Sequence, residues 1–240
     1  YSEGNYTDDY LNGNIVDIDL EKKSVYYGDA VNGSFTGKAC FFNENGTMYS
    51  GDYVKGKFTG NGYRLSGSGK YLAGTWDDGK VTRLTSLITD KGDVISVNAK
   101  TLSEGINNLV KAYIDYYDDI SGEVVEDYDL MDELDADNDD YLDYSYSLIS
   151  LPGSIGDNII ATDFDLITYC YAKFLETDNA DKAKAKYNEL AAQLQAISIS
   201  NSYITTKSKL AGSVKTPDLS EDKTETEFSI PAGGDKFEYF

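Results

Sequence analysis

Tyr49-Ser50-Gly51-Asp52-Tyr53-Val54-Lys55-Gly56-Lys57-Phe58-Thr59-Gly60-Asn61-Gly62 decides the fold of the first third of the chain. Its pattern recurs every 23 residues: Tyr26-x-Gly28, Tyr49-x-Gly51 and Leu72-x-Gly74 are each followed five positions later by Gly33, Gly56 and Gly79. Phe35, Gly37 and Gly46 likewise recur as Phe58, Gly60 and Gly69. A fixed period of about 20 to 50 residues marks an array whose units are single supersecondary elements stacked on their neighbours. Tyr49, Gly51 and Tyr53 alternate as one face of a strand does. Gly56 offers the positive φ of a tight hairpin turn, residues 58–65 return as the second strand, and residues 66–69 make the next turn. Glycines inside strands normally weaken a sheet. Their recurrence on one face therefore predicts that a neighbouring aromatic ring covers the bare backbone, with Tyr49, Tyr53, Phe58 and Trp76 buried in a dry seam between units.

The unit Tyr49-x-Gly51-x-Tyr53-x-x-Gly56-x-x-x-Gly60-x-Gly62, then Gly69, resembles the MORN repeat family. The unit from Tyr26 departs at Ala30 and Ala39, and the unit from Leu72 keeps Gly74, Trp76 and Gly79 but loses the pattern at Arg83. A weaker unit is visible at Gly4-Asn5-Tyr6. The resemblance covers about residues 1–85, and it implies a β-hairpin array without catalysis.

The 240 residues carry a formal charge of −21, 13% aromatics and no histidine. Nucleic acid and anionic lipid are disfavoured as partners by this charge, and basic partners are favoured. Without histidine there is no Ser-His-Asp or Cys-His nucleophile and no His-rich metal site. Cys40 and Cys170 do not make a disulfide framework and read as free thiols. No stretch reaches the roughly 20 apolar residues of a membrane span. The chain opens at Tyr1 inside a degenerate unit without an initiator Met, which reads as a processed fragment. That suits an exported bacterial protein, extracellular or at the cell surface, with a cytoplasmic one as the alternative.

Beyond residue 97 the period changes. Thr101-x-x-Glu104 reads as a capping box, and Ile106, Leu109, Val110, Tyr113 and Tyr117 follow at helical spacing, predicting a helix over 102–118. Further helices are expected at 123–134, at 141–151, from 162 to 174 on the face of Phe164, Ile167, Tyr171 and Phe174, and through Ala183, Tyr187, Leu190, Leu194 and Ile197. Short strand-like pieces at 227–230 and 236–240 would suit the open edge of the repeat sheet. The fold class is therefore α+β. An antiparallel sheet of MORN-like hairpins (1–98) precedes an acidic α-helical bundle (99–212) and a tail (213–240).

The one segment with metal chemistry is 135–143. Asp135, Asp137 and Asp139 would give side-chain oxygens, Tyr141 its carbonyl, and Asp143 a direct or water-bridged ligand, as in the first nine positions of an EF-hand calcium loop. Asp140 stands where that loop has glycine, and Tyr146 where it has its bidentate glutamate. Weak calcium binding is the most this predicts, and a solvated acidic turn is the competing expectation. No catalytic residue and no cofactor site are identified. The expected function is a non-catalytic scaffold that binds a protein partner. The alternatives are a carbohydrate-binding module using exposed Tyr and Trp, or a hydrolase with a carboxylate pair between the domains.

Overall fold

The computed structural model describes residues 1–113, 117–126, 143–162, 168–200, 208–217, 226 and 229. It contains two compact units, Tyr1–Val97 and Asn98–Phe240. The class is α+β. The first unit is a nine-stranded antiparallel meander: β1 (Ser2–Thr7), β2 (Tyr10–Asp19), β3 (Ser24–Val31), β4 (Ser34–Asn43), β5 (Met48–Val54), β6 (Lys57–Leu65), β7 (Tyr71–Asp77), β8 (Lys80–Ile88) and β9 (Val94–Ile95), each paired with the next.

Two-residue turns close one side of the sheet. Asn32-Gly33, Lys55-Gly56 and Asp78-Gly79 all have positive φ at both positions, which is the type I′ geometry whose twist matches that of the strands. Longer loops close the other side. In three of them the amides of Gly46, Gly69 and Gly92 donate to the carbonyls of Asn43, Ser66 and Thr89. The period thus survives beyond Arg83 as far as Gly92. It also begins earlier than the 23-residue register suggests. Asp8-Asp9 forms another turn with positive φ, and Gly33 N–H donates to Leu11 O as Gly56 N–H does to Phe35 O. Between Asp19 and Tyr26 the loop holds one residue more than between Asn43 and Tyr49. This shifts the first hairpin to a 24-residue offset and hides it from a fixed register. At the far end, Ile95 occupies the column of Tyr49 and Leu72, and Val97 the column of Gly51 and Gly74. Neither the ring nor the glycine of the pattern is present there, and β9 is the last strand of the sheet.

The second unit is built differently from the expected bundle. Helix α1 (Leu102–Tyr113) opens as predicted: Thr101 Oγ1 accepts from Glu104 N–H, and Glu104 Oε2 accepts from Lys100 N–H. It buries Leu102, Gly105, Asn108, Leu109 and Ala112. Tyr117 lies outside it in a left-handed conformation, before a short 3-10 turn over Asp118–Ile120. Four strands follow: β10 (Ser121–Val124), β11 (Asp143–Ser147), β12 (Ile155–Thr162) and β13 (Thr168–Lys173), an antiparallel sheet in chain order. Among the described residues they stand where helices were expected, β11 within 141–151, β13 within 162–174 and β10 at the start of 123–134, whose residues from 127 on lie outside the described ones. The physical cause is packing. Tyr144 and Tyr146 pair with Ala161 and Ile159 around a core that includes Val125, and an alternating pattern buries them where a helical one would not.

Helix α2 (Ala180–Ala196) lies where a helix was expected, capped by Asn179 Oδ1 accepting from Lys182 N–H. After it, β14 (Ser198–Ile199) pairs with β15 (Ser208–Lys209). The Asn107 side chain on α1 donates to Ser198 O and accepts from Ser200 N–H, standing in for a strand against this segment. Ser229 bridges Ala211 within the second unit, so this point of the tail pairs there and not with the repeat sheet. The remaining tail positions lie outside the described residues.

The two kinds of glycine in the array should respond differently to substitution. A Cβ on Gly51 would lie 2.6 Å from Gly62 Cα and 2.7 Å from Asn61 O, both backbone atoms, whereas one on Gly56 meets nothing within 4 Å. Gly56→Ala should therefore cost about 1 kcal/mol from positive φ alone. Gly51→Ala should cost on the order of 3 kcal/mol, measured by urea unfolding.

Candidate functional site

The repeat sheet has two faces with different chemistry. On the ring face, Tyr26, Tyr49, Tyr53 and Trp76 are at most 3% exposed. Tyr49 Oη lies 2.8 Å from the position a Cβ would take on Gly51 and 2.4 Å from that on Gly62, so the ring rests on bare backbone. Phe58 stacks on it at 3.6 Å and 9°, while Tyr53 and Trp76 meet it edge-on at 5.3 and 5.5 Å. One unit earlier, Phe35 stacks on Tyr26 at 3.8 Å and Tyr53 meets that ring edge-on at 5.4 Å. The arrangement is thus a repeated packing motif; of the four rings expected in the seam, Tyr49, Tyr53 and Trp76 are buried and Phe58 is half-buried. Trp76 Nε1 donates to Gly62 O, and the Arg64 guanidinium sits 5.6 Å over its ring. Tyr53, at the equivalent position, buries its hydroxyl with no partner.

Burial pushes the Tyr26 and Tyr49 phenols up to about 12, with the nearby Asp29 and Asp52 carboxylates adding to the effect. Burial raises Tyr53 further. In the second unit, burial raises Tyr117 and pushes the Cys170 thiol up to about 11. Aromatic side chains committed to packing in this way offer no platform to a ligand.

The opposite, open face is where side chains remain available. Directly paired positions run across it as Ile18, Val25, Phe42, Met48, Leu65, Tyr71, Ile88 and Val94, one per strand from β2 to β9. Within it, Val25, Met48, Tyr71 and Val94 are each 23 residues apart, as are Phe42, Leu65 and Ile88. At roughly 4.8 Å per strand the row is about 34 Å long. Phe42 is 44% and Val94 59% exposed. A parallel row holds Val16, Tyr27, Cys40, Ser50, Tyr63, Ala73 and Ser86, within which Cys40 Sγ donates to Ser50 Oγ. Neither row carries a charge. Charges flank them as pairs, Lys38 with Asp52 and Lys23 with Glu44. The period of this row is as regular as that of the glycines. The sequence reading followed the glycine and ring columns and passed over it.

Of the candidate calcium ligands, Asp135, Asp137, Asp139 and Tyr141 lie outside the described residues. Asp143 is exposed and begins β11, paired with Thr162. Among the described residues no group of three or more metal-ligating side chains occurs, and no described helix is long and apolar enough to cross a membrane. Compared with protein-family models and with curated proteins, the sequence matches none of them.

Two measurements check the ring face. Tyr53→Phe removes a buried hydroxyl that satisfies nothing, so stability should stay within about 0.5 kcal/mol of wild type or rise, whereas Tyr53→Ala should lose about 3 to 5 kcal/mol. Phenols whose folded pKa is raised bind their protons more tightly in the folded state. Their contribution is complete below pH 10 and is lost as pH rises from there through about 12. Stability should fall by about 1.4 kcal/mol per pH unit for each such tyrosine in that window, with ultraviolet titration showing their ionisation to coincide with unfolding.

Proposed function

We propose that this chain is a non-catalytic scaffold of MORN-like hairpins whose open face docks a protein partner. The observation that carries the reading is the apolar row from Ile18 to Val94, kept in phase along the array, with Val25, Phe42 and Val94 exposed and the other five residues half-buried. Exposed apolar surface of this continuity is uncommon on a soluble domain unless something binds it. The ring face supplies rigidity, because stacked and edge-on rings over bare backbone leave little room for rearrangement. The open face then presents a preformed surface, which lowers the ordering cost of association.

Charge bears on the kind of partner. Residues 1–97 hold 10 basic against 13 acidic side chains, and residues 98–240 hold 11 against 29. The repeat sheet is close to neutral, so docking on it rests on shape and apolar contact. Such contacts change little with salt, unlike charge-steered ones.

The test is a double substitution on well-exposed row positions, Phe42→Asp with Val94→Asp. Thermal stability should change by less than about 1 kcal/mol. Photocrosslinkers placed at Val25 and Met48 in cells that make the protein should form adducts with a discrete protein partner, and the double substitution should remove them. Adducts formed equally from Gly56 on the turn side, or surviving the double substitution, would refute the assignment of this face.

A further inference from the structure

The third complete hairpin of the period breaks the register in a way that the two before it do not. In β3/β4 and β5/β6 the pairing jumps by two residues at Gly37-Lys38 and Gly60-Asn61. Both glycines have positive φ, 69° and 58°. In β7/β8 the same column holds Arg83, a residue for which that backbone conformation is costly. The jump is divided instead into two single steps, with Thr82 and Thr85 as the extra residues. Bulges of this kind re-aim side chains and occur disproportionately beside binding sites.

The second step brings Thr85 to a shallow, open depression of about 490 Å³, whose wall also includes Ser50, Asn61, Tyr63 and Ala73 and whose floor is the backbone of Gly51, Gly62 and Gly74. No charged side chain lines it. What lines it is one aromatic ring, three hydroxyls and one carboxamide. Ser50 Oγ accepts from the Cys40 thiol and so keeps its own proton to donate. Asn61 Oδ1 accepts from Thr75 Oγ1, which holds the carboxamide in orientation. Tyr71 stands beside Tyr63 with ring centroids 5.8 Å apart.

We propose that this depression binds one residue of a neutral saccharide chain, a pyranose lying against the Tyr63 ring with its hydroxyls shared among Asn61, Ser50 and Thr85. Each competing ligand class fails on a specific point. An anion would find no cation among the lining side chains. A nucleobase could stack on Tyr63, but its phosphates would find no basic side chain in the lining. A peptide strand would need a free sheet edge, and β5 to β8 are paired on both sides. An aliphatic ligand would strand the hydroxyls and the carboxamide without partners. An open-ended depression suits an internal residue of a chain, since neither end is closed. This inference rests on the broken register and not on the apolar row, so either can fail alone.

The intact protein is titrated, by two-dimensional amide NMR, with the tetrasaccharides of xylose, glucose, mannose and N-acetylglucosamine to about 10 mM. One of them should shift the Asn61 side-chain and Ala73 amides saturably, with a Kd near or below about 1 mM. Tyr63→Ala should weaken it at least tenfold. The near-isosteric Thr85→Val should weaken it several-fold without altering thermal stability. Phe42→Asp with Val94→Asp should leave it unchanged. No saturable shift with any of the four sugars, or a shift indifferent to both Tyr63→Ala and Thr85→Val, would overturn the proposal.

Discussion

The first unit depends on a ring lying flat on a backbone that has no side chains in the way. Tyr49 can rest on Gly51 and Gly62 only because neither has a Cβ, and Phe58 can stack on Tyr49 only because that ring is flat against the sheet. In the hairpins β3/β4 and β5/β6 the rings thus lie two deep on the sheet. The arrangement also accounts for the exceptions. Where Leu72 replaces the tyrosine, no ring covers Gly74, and the residue paired with that glycine is Leu84. At the other end Ser2 stands in the tyrosine column and Ile15 lies opposite Gly28. Leu84 and Ile15 are both buried. Bulk is needed at this position when the ring is missing and excluded when the ring is present.

The same constraint separates structure from binding. Strand geometry places alternate residues on opposite faces, so committing one face to rings leaves the other free to vary. On the open face the row nearest the longer loops has stayed apolar in every unit, while the next row mixes tyrosine, cysteine, serine and alanine. A face whose composition is regular in one row and varied in the next suits a general docking surface with local specificity added to it.

The repeat was legible because glycine and aromatic spacing report backbone geometry directly. Gly33, Gly56 and Gly79 lie in turns since few other residues adopt that φ cheaply. The first hairpin was only partly legible, because one added loop residue defeats a fixed register although Gly4, Tyr6, Leu11 and Gly13 keep their mutual spacing at an offset of 24. The second unit was harder. Tyr141, Tyr144, Leu148 and Leu151 fit a helix at steps of three and four, but Tyr144-Ser145-Tyr146-Ser147 fits a strand equally well, and short apolar runs do not settle the choice. Tertiary pairing with Ile159 and Ala161 settled it. Phe164, Ile167, Tyr171 and Phe174 posed the same ambiguity, with the β-branched and aromatic residues Thr168, Tyr169 and Tyr171 favouring the strand that forms. At 102–113 and 180–196 a polar cap preceded the apolar period, and there the helical reading held.

Arg83 connects these threads. In a regular array its position would be glycine, and the double step in register would keep the third hairpin identical to its predecessors. An arginine there removes the cheap positive φ, and the backbone distributes the same two extra residues over Thr82 and Thr85. The sheet loses regularity without losing a strand: β8 still pairs with β7 along its length and with β9 beyond. A repeat tolerates such a change where its cost is offset locally, here by Leu84 filling the ring-face gap. In sequence the change reads only as the point where the pattern fails. In three dimensions it is the point where the open face acquires a feature of its own.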